Sequence, residues 1–138
     1  MTDQQDPVSP DEYILRRIPK DGNRYKPSLN EPVQRVAFEP SKRDVDGISV
    51  FREICLSAAD LANAGTNNTG YCVARLRVSD LIALGLTVVP DPRNDQPPGH
   101  AILPELSFSE HNRDRQKCKD IQHHLAKLAG RNIVFESG

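Results

Sequence analysis

Tryptophan is absent from this chain, and aromatic residues of all kinds make up only 5% of it, against 37% hydrophobic and 27% charged residues. That balance predicts a modest core, and 11 prolines predict long connections around it. Cysteine is also scarce. The three present, Cys55, Cys72 and Cys118, are widely spaced and form neither a CxxC pair nor a Cys/His cluster. An odd, scattered set argues against a secreted disulfide framework and for reduced thiols that pack as small hydrophobes. Net charge is nearly absent: 18 Lys and Arg against 19 Asp and Glu give −1, so any electrostatic site must come from local arrangement. No window approaches the roughly 20 apolar residues of a membrane span. The opening residues MTDQQDPVSPDEY are acidic and polar where a signal peptide is basic and then apolar. These absences predict a cytoplasmic protein with no membrane contact. Motifs are missing as well: there is no GxSxG elbow, no GxGxxG and no GxxxxGK[ST]. His123 and His124 are neighbours and point about 100° apart on a helix, so they cannot chelate one ion as an i, i+4 pair would. Neither a metal nor a cofactor is expected.

What is present reads as one domain, the usual outcome for 138 residues. A disordered leader is expected over 1–10, which is too polar to offset the entropy of ordering, and a single domain over 11–138. Residues 13–18 are apolar enough for a helical or extended segment, closed by Pro19 and the Asp21, Gly22, Asn23 turn. A strand is predicted over 33–38 between Pro32 and Pro40, with a neighbour over 48–51 in which Ile48 and Val50 face one side and Ser49 and Phe51 the other. Ser57 is placed to cap a short helix over 58–62. The stretch 71–105 is the clearest. It contains a strand over 71–78 with Tyr71, Val73 and Arg75 opposite Cys72, Ala74 and Leu76, then a helix capped by Ser79 and ended by Gly85. Strands over 86–89 and 101–103 follow, on either side of the loop DPRNDQPPG. A helix from 109 or 112 to 128 carries the stripe Cys118, Ile121, Leu125, Leu128, and 133–135 can close the sheet. The expected fold class is α+β: a small mixed or antiparallel sheet with short helices and one longer C-terminal amphipathic helix.

His100 is the leading site candidate, because a side chain where a proline-stiffened loop enters a strand is held by rigid structure, and imidazole serves as acid or base near neutral pH. Asp91, Arg93 and Asp95 lie on the same loop, and Asp91 or Asp95 could orient the ring. Arg35 and Arg75, on or beside predicted strands, are candidates to stabilise a phosphate beside His100. The final helix adds Arg113, Lys117, His124 and Lys127 as a basic stripe able to contact a partner.

The succession Arg35, Phe38, Gly47, Ser49, Val50, Val73, Leu76, Leu84, Gly85, Val88, Val89, Asp91, Pro92, His100, Ala101 resembles a group of small uncharacterised bacterial proteins over 33–101. That resemblance implies that Asp91, Pro92 and His100 act as one unit, and it carries no activity. Two functions are expected on these residues. The first is an interaction or accessory module that binds a protein partner through the 90–100 loop and the adjoining helix face. The alternative is an RNA-directed enzyme or toxin with His100 as general acid or base.

Overall fold

The computed structural model describes residues 4–137. The expected α+β class is what it shows, and the sheet is antiparallel throughout. Six strands, β1 (Tyr13–Pro19), β2 (Ile48–Arg52), β3 (Tyr71–Arg77), β4 (Val89–Pro90), β5 (His100–Leu103) and β6 (Ile133–Glu136), lie in the order β4-β5-β2-β1-β3-β6. The helices are α1 (Ala58–Asn63), α2 (Val78–Ala83), α3 (Phe108–Arg113) and α4 (Arg115–Gly130).

The segment after the leader, open between helix and strand in the sequence, is the central strand. β1 carries Ile14, Leu15 and Ile18 at 0% exposure, apolar on both faces as a central strand requires. It pairs with β3 along its whole length, from Tyr13 opposite Arg77 to Pro19 opposite Tyr71. With β2 it pairs only at Ile14–Arg52 and Leu15–Phe51, after which the strands part. Arg16 fills the opening: its guanidinium donates to the Ser49 carbonyl at 2.6 Å and to the Ala37 carbonyl at 2.8 and 3.2 Å, doing for those carbonyls what a ladder would have done.

The strand predicted over 33–38 is not formed. Arg35–Phe38 coils into a 3₁₀ turn, with only an isolated bridge between Val33 and Tyr25 before it. The reason lies in burial. Ala37 and Phe38 are consecutive and both enter the same apolar cluster, which side chains alternating between two faces cannot give; β5 occupies one flank of β2, and Arg16 fills the opening where β1 leaves the other. The strand predicted over 86–89 shrinks to β4, and the C-terminal helix is divided at Asp114, whose backbone leaves helical angles while its side chain caps Lys117 N–H.

Two apolar clusters divide the sheet faces. Ile14, Ile18, Ile48, Val50, Cys72, Ala74, Leu76, Ala101 and Leu103 pack beneath Phe38, Leu81, Leu106 and the Cys118, Leu125, Ala126, Ala129 stripe of α4. Leu15, Phe51 and Val73 meet Leu61 and Ala62 of α1 on the other face. The alternation expected for 71–76 therefore separates the two cores. Of the stretch expected as a disordered leader, residues 1–3 fall outside the described residues. From Gln4 onward the chain lies across the end of β2, where Arg52, 0% exposed, donates to the carbonyls of Gln4, Asp6 and Pro7 and grips both oxygens of Glu12.

Candidate functional site

Two tight backbone positions set the site. Gly47 precedes β2 with φ +146°, and a Cβ there would meet the Leu103 carbonyl oxygen at 2.4 Å. Gly99 precedes β5 with φ +84°, and its Cβ would meet Cys55 Cβ at 2.7 Å. Between them β2 and β5 pair as Ser49–Ile102 and Phe51–His100. Ser49, Phe51 and His100 thus share one face, and the His100 ring stands edge-on to Phe51 with centroids 5.4 Å apart.

The imidazole is 2% exposed and both its nitrogens are engaged. Nδ1 lies 2.7 Å from the Asp91 carbonyl oxygen and 3.4 Å from Asp91 Oδ2; Nε2 lies 2.8 Å from Ser49 Oγ. A carbonyl only accepts, so in the neutral ring Nδ1 carries the proton. Nε2 is then the acceptor, and the Ser49 hydroxyl donates to it. Asp91 also donates its backbone N–H to the His100 carbonyl at 2.9 Å, so one residue holds both the ring and the main chain of the histidine. Pro90 and Pro92 fix φ on either side of it. A hydroxyl hydrogen-bonded to an imidazole whose far nitrogen is held by an acceptor is the arrangement of a nucleophile, a general base and an orienting group.

Ser49 is half-buried and opens on a polar cleft of about 200 Å³ lined by Arg43, Asp46, Gly47, Arg93 and His100. Arg93 donates Nε to Asp91 Oδ2 at 2.7 Å and lies 3.8 Å from Asp46. The Asp91 carboxylate is therefore shared between Arg93 and His100. Arg43 forms no side-chain ion pair among the described residues and is the cation of the cleft not already committed. Beneath the site, burial pushes the Arg16 guanidinium down to about 10, and the Asp44 charge only partly opposes this.

The other candidates are dispersed. Arg35 donates to Gln122 Oε1 at 2.7 Å and pairs with Glu39 between the 3₁₀ turn and α4. Arg75 makes a two-point pair with Glu53 and stacks over Tyr13, its proton held by that hydrogen-bonded pair. Neither lines the His100 cleft, so the expected histidine–arginine pair is not assembled from these two. Asp95 lines a separate groove; Arg113 and Lys117 line a hollow with Glu105, Glu110 and Asp114; Lys127 lines another with His123; and His124 lies exposed on α4. The hollows at the α4 cations share no lining residue with the cleft and the groove at the 90–100 loop. The helix that does share a groove with the loop is α1.

Sequence reasoning placed Ser49 on the face of Phe51 but did not single it out as a site residue. It also passed over His111 and Gln122, both buried and hydrogen-bonded to one another. Among the described residues, no three His, Cys, Asp or Glu side chains converge as a metal site, and no helix is long and apolar enough to cross a membrane. No family model, curated protein or solved structure matches the chain.

Proposed function

We propose that the protein is a hydrolase in which Ser49 is the nucleophile and His100 its general base. The observation that carries this reading is the 2.8 Å contact between Ser49 Oγ and a His100 ring whose tautomer is fixed from behind by Asp91. Attack of Ser49 Oγ on an ester or amide carbonyl passes its proton to Nε2, and the imidazolium so formed is stabilised by the Asp91 oxygens. The proton then goes to the leaving group, and water, deprotonated by the same nitrogen, releases the acyl chain and restores the serine. Arg43 is the uncommitted cation of the cleft, available to meet the oxyanion. The role expected of His100 is kept in this proposal, with Ser49 as its partner in place of Arg35 or Arg75. A catalytic reading also accounts for the polarity of a cleft that the apolar clusters leave open.

A fluorophosphonate probe tests it. The intact chain should form a covalent adduct located at Ser49 by mass spectrometry, Ser49→Ala should form none, and His100→Asn, confirmed folded by circular dichroism, should react about 10²–10⁴-fold more slowly. A folded wild-type chain that leaves Ser49 unlabelled over hours of incubation removes the hydrolase reading.

A further inference from the structure

A second concavity lies between the 90–100 loop and α1, of about 490 Å³, and it shares no lining residue with the Ser49–His100 cleft. Its apolar walls are Leu56, Ala64, Pro97 and Pro98, Asn94 and Gln96 add polar side chains, and Asp60 and Asp95 stand at it with carboxylates that form no ion pair or side-chain hydrogen bond among the described residues. The walls are preformed. Ser57 caps α1, accepting from Asp60 N–H at 3.1 Å, and Gly99 at the end of the loop donates to Gln4 Oε1 at 2.9 Å while its carbonyl accepts from Arg52 N–H. Two adjacent prolines need no donor partner and keep the intervening wall extended. An apolar trough flanked by two uncompensated anions calls for an occupant that is apolar along its length and cationic at its end.

We infer that this groove binds an arginine side chain presented by a protein partner on an apolar segment. The aliphatic stem of arginine covers Leu56 and the proline rings, and its guanidinium, more weakly hydrated than a lysine ammonium and carrying five donors, meets the carboxylates at the groove. The uncompensated anions also disfavour nucleic acid here. The hollow at Arg113 and Lys117 lacks this character, since Arg113 is paired with Glu110. The inference goes beyond the hydrolase reading and does not depend on it.

The test is titration of the ¹⁵N-labelled full chain with three amidated tripeptides, acetyl-Leu-Arg-Leu and its lysine and glutamate counterparts. The arginine peptide should shift the amides of Leu56, Asp60 and Asn94 to Gln96 in a saturable way. Lysine should bind about two- to fivefold more weakly, and Asp60→Asn or Asp95→Asn should each weaken the arginine peptide about two- to fivefold, the range for an exposed ion pair. The Ser49→Ala chain should bind as wild type does. Equal binding of the arginine and glutamate peptides, shifts centred elsewhere, or no saturable shift into the low-millimolar range overturns the proposal. Each of these outcomes leaves Ser49 labelling as a separate result.

Discussion

Among the described residues Arg52 has the largest completely buried side chain, and its role shows how one residue can hold the chain ahead of β1. Its charge is removed from water, so it is tolerated only because five acceptors surround it. Arg52→Ala leaves Glu12 and three carbonyls short of a donor and is expected to cost about 3–5 kcal/mol in urea unfolding. Desolvation by burial opposes ionisation of Glu12, but the Arg52 hydrogen bonds and the Ser9 N–H outweigh it, so the carboxyl titrates below its ordinary 4.5. A depressed carboxyl contributes stability that is complete above the ordinary value and disappears as pH falls through the folded one. The wild-type chain should therefore lose stability below about pH 4.5 more steeply than Glu12→Gln, compared by unfolding midpoints from pH 6 to pH 3; parallel curves would show that the pair contributes nothing. None of this was legible in the sequence, where Glu12 sits just past a polar leader and Arg52 at the end of a strand. Only the third dimension brings them together.

At the scale of elements, turns punctuated by glycine and strands with strict alternation were readable, and the exceptions share a cause. The alternation in β2 and β3, the Ser57 cap and the Gly85 stop all depend on local geometry, which the chain encodes locally. The 33–38 segment failed because its conformation is decided by what it packs against: Arg16 claims its carbonyl, and two neighbouring side chains must both enter the same apolar cluster. His100 could be found from the loop that carries it, whereas Ser49 could not, because their meeting depends on β2–β5 register. The glycines permit a quantitative comparison. Gly85 has φ +82° with open space where a Cβ would go, so Gly85→Ala should cost only the left-handed penalty of about 1–2 kcal/mol. Gly47 combines a positive φ with a carbonyl oxygen at 2.4 Å from the same position, so Gly47→Ala should cost at least twice as much and also reduce probe labelling of Ser49 two residues away. Equal losses of melting temperature in the two variants would place no strain at the cleft.

At the scale of the whole molecule, the question is what fixes α4 to its sheet in one orientation. The apolar stripe was visible in the sequence, but an apolar stripe tolerates sliding, and the polar residue beside it was not singled out. Gln122 is 0% exposed and joins three elements. Its Oε1 accepts from Arg35 at 2.7 Å, its Nε2 donates to His111 Nδ1 at 3.1 Å, and His111 Nε2 in turn faces Glu39 Oε1 at 3.2 Å, which also meets Arg35. The amide must donate to Nδ1, so the ring proton sits on Nε2 and points at Glu39, and the ring of contacts closes with every buried partner satisfied. Gln122→Leu keeps the volume and the apolar surface yet leaves Arg35 and His111 each lacking a partner, at an expected cost of about 1–3 kcal/mol. His111→Leu alone should cost a similar amount. In the double variant the buried amide and imidazole are both gone, so its loss should fall short of the sum by about 0.5–3 kcal/mol. Urea unfolding of the four chains measures that coupling directly. Strict additivity would mean that the stripe alone holds α4, and that Gln122 is merely accommodated there.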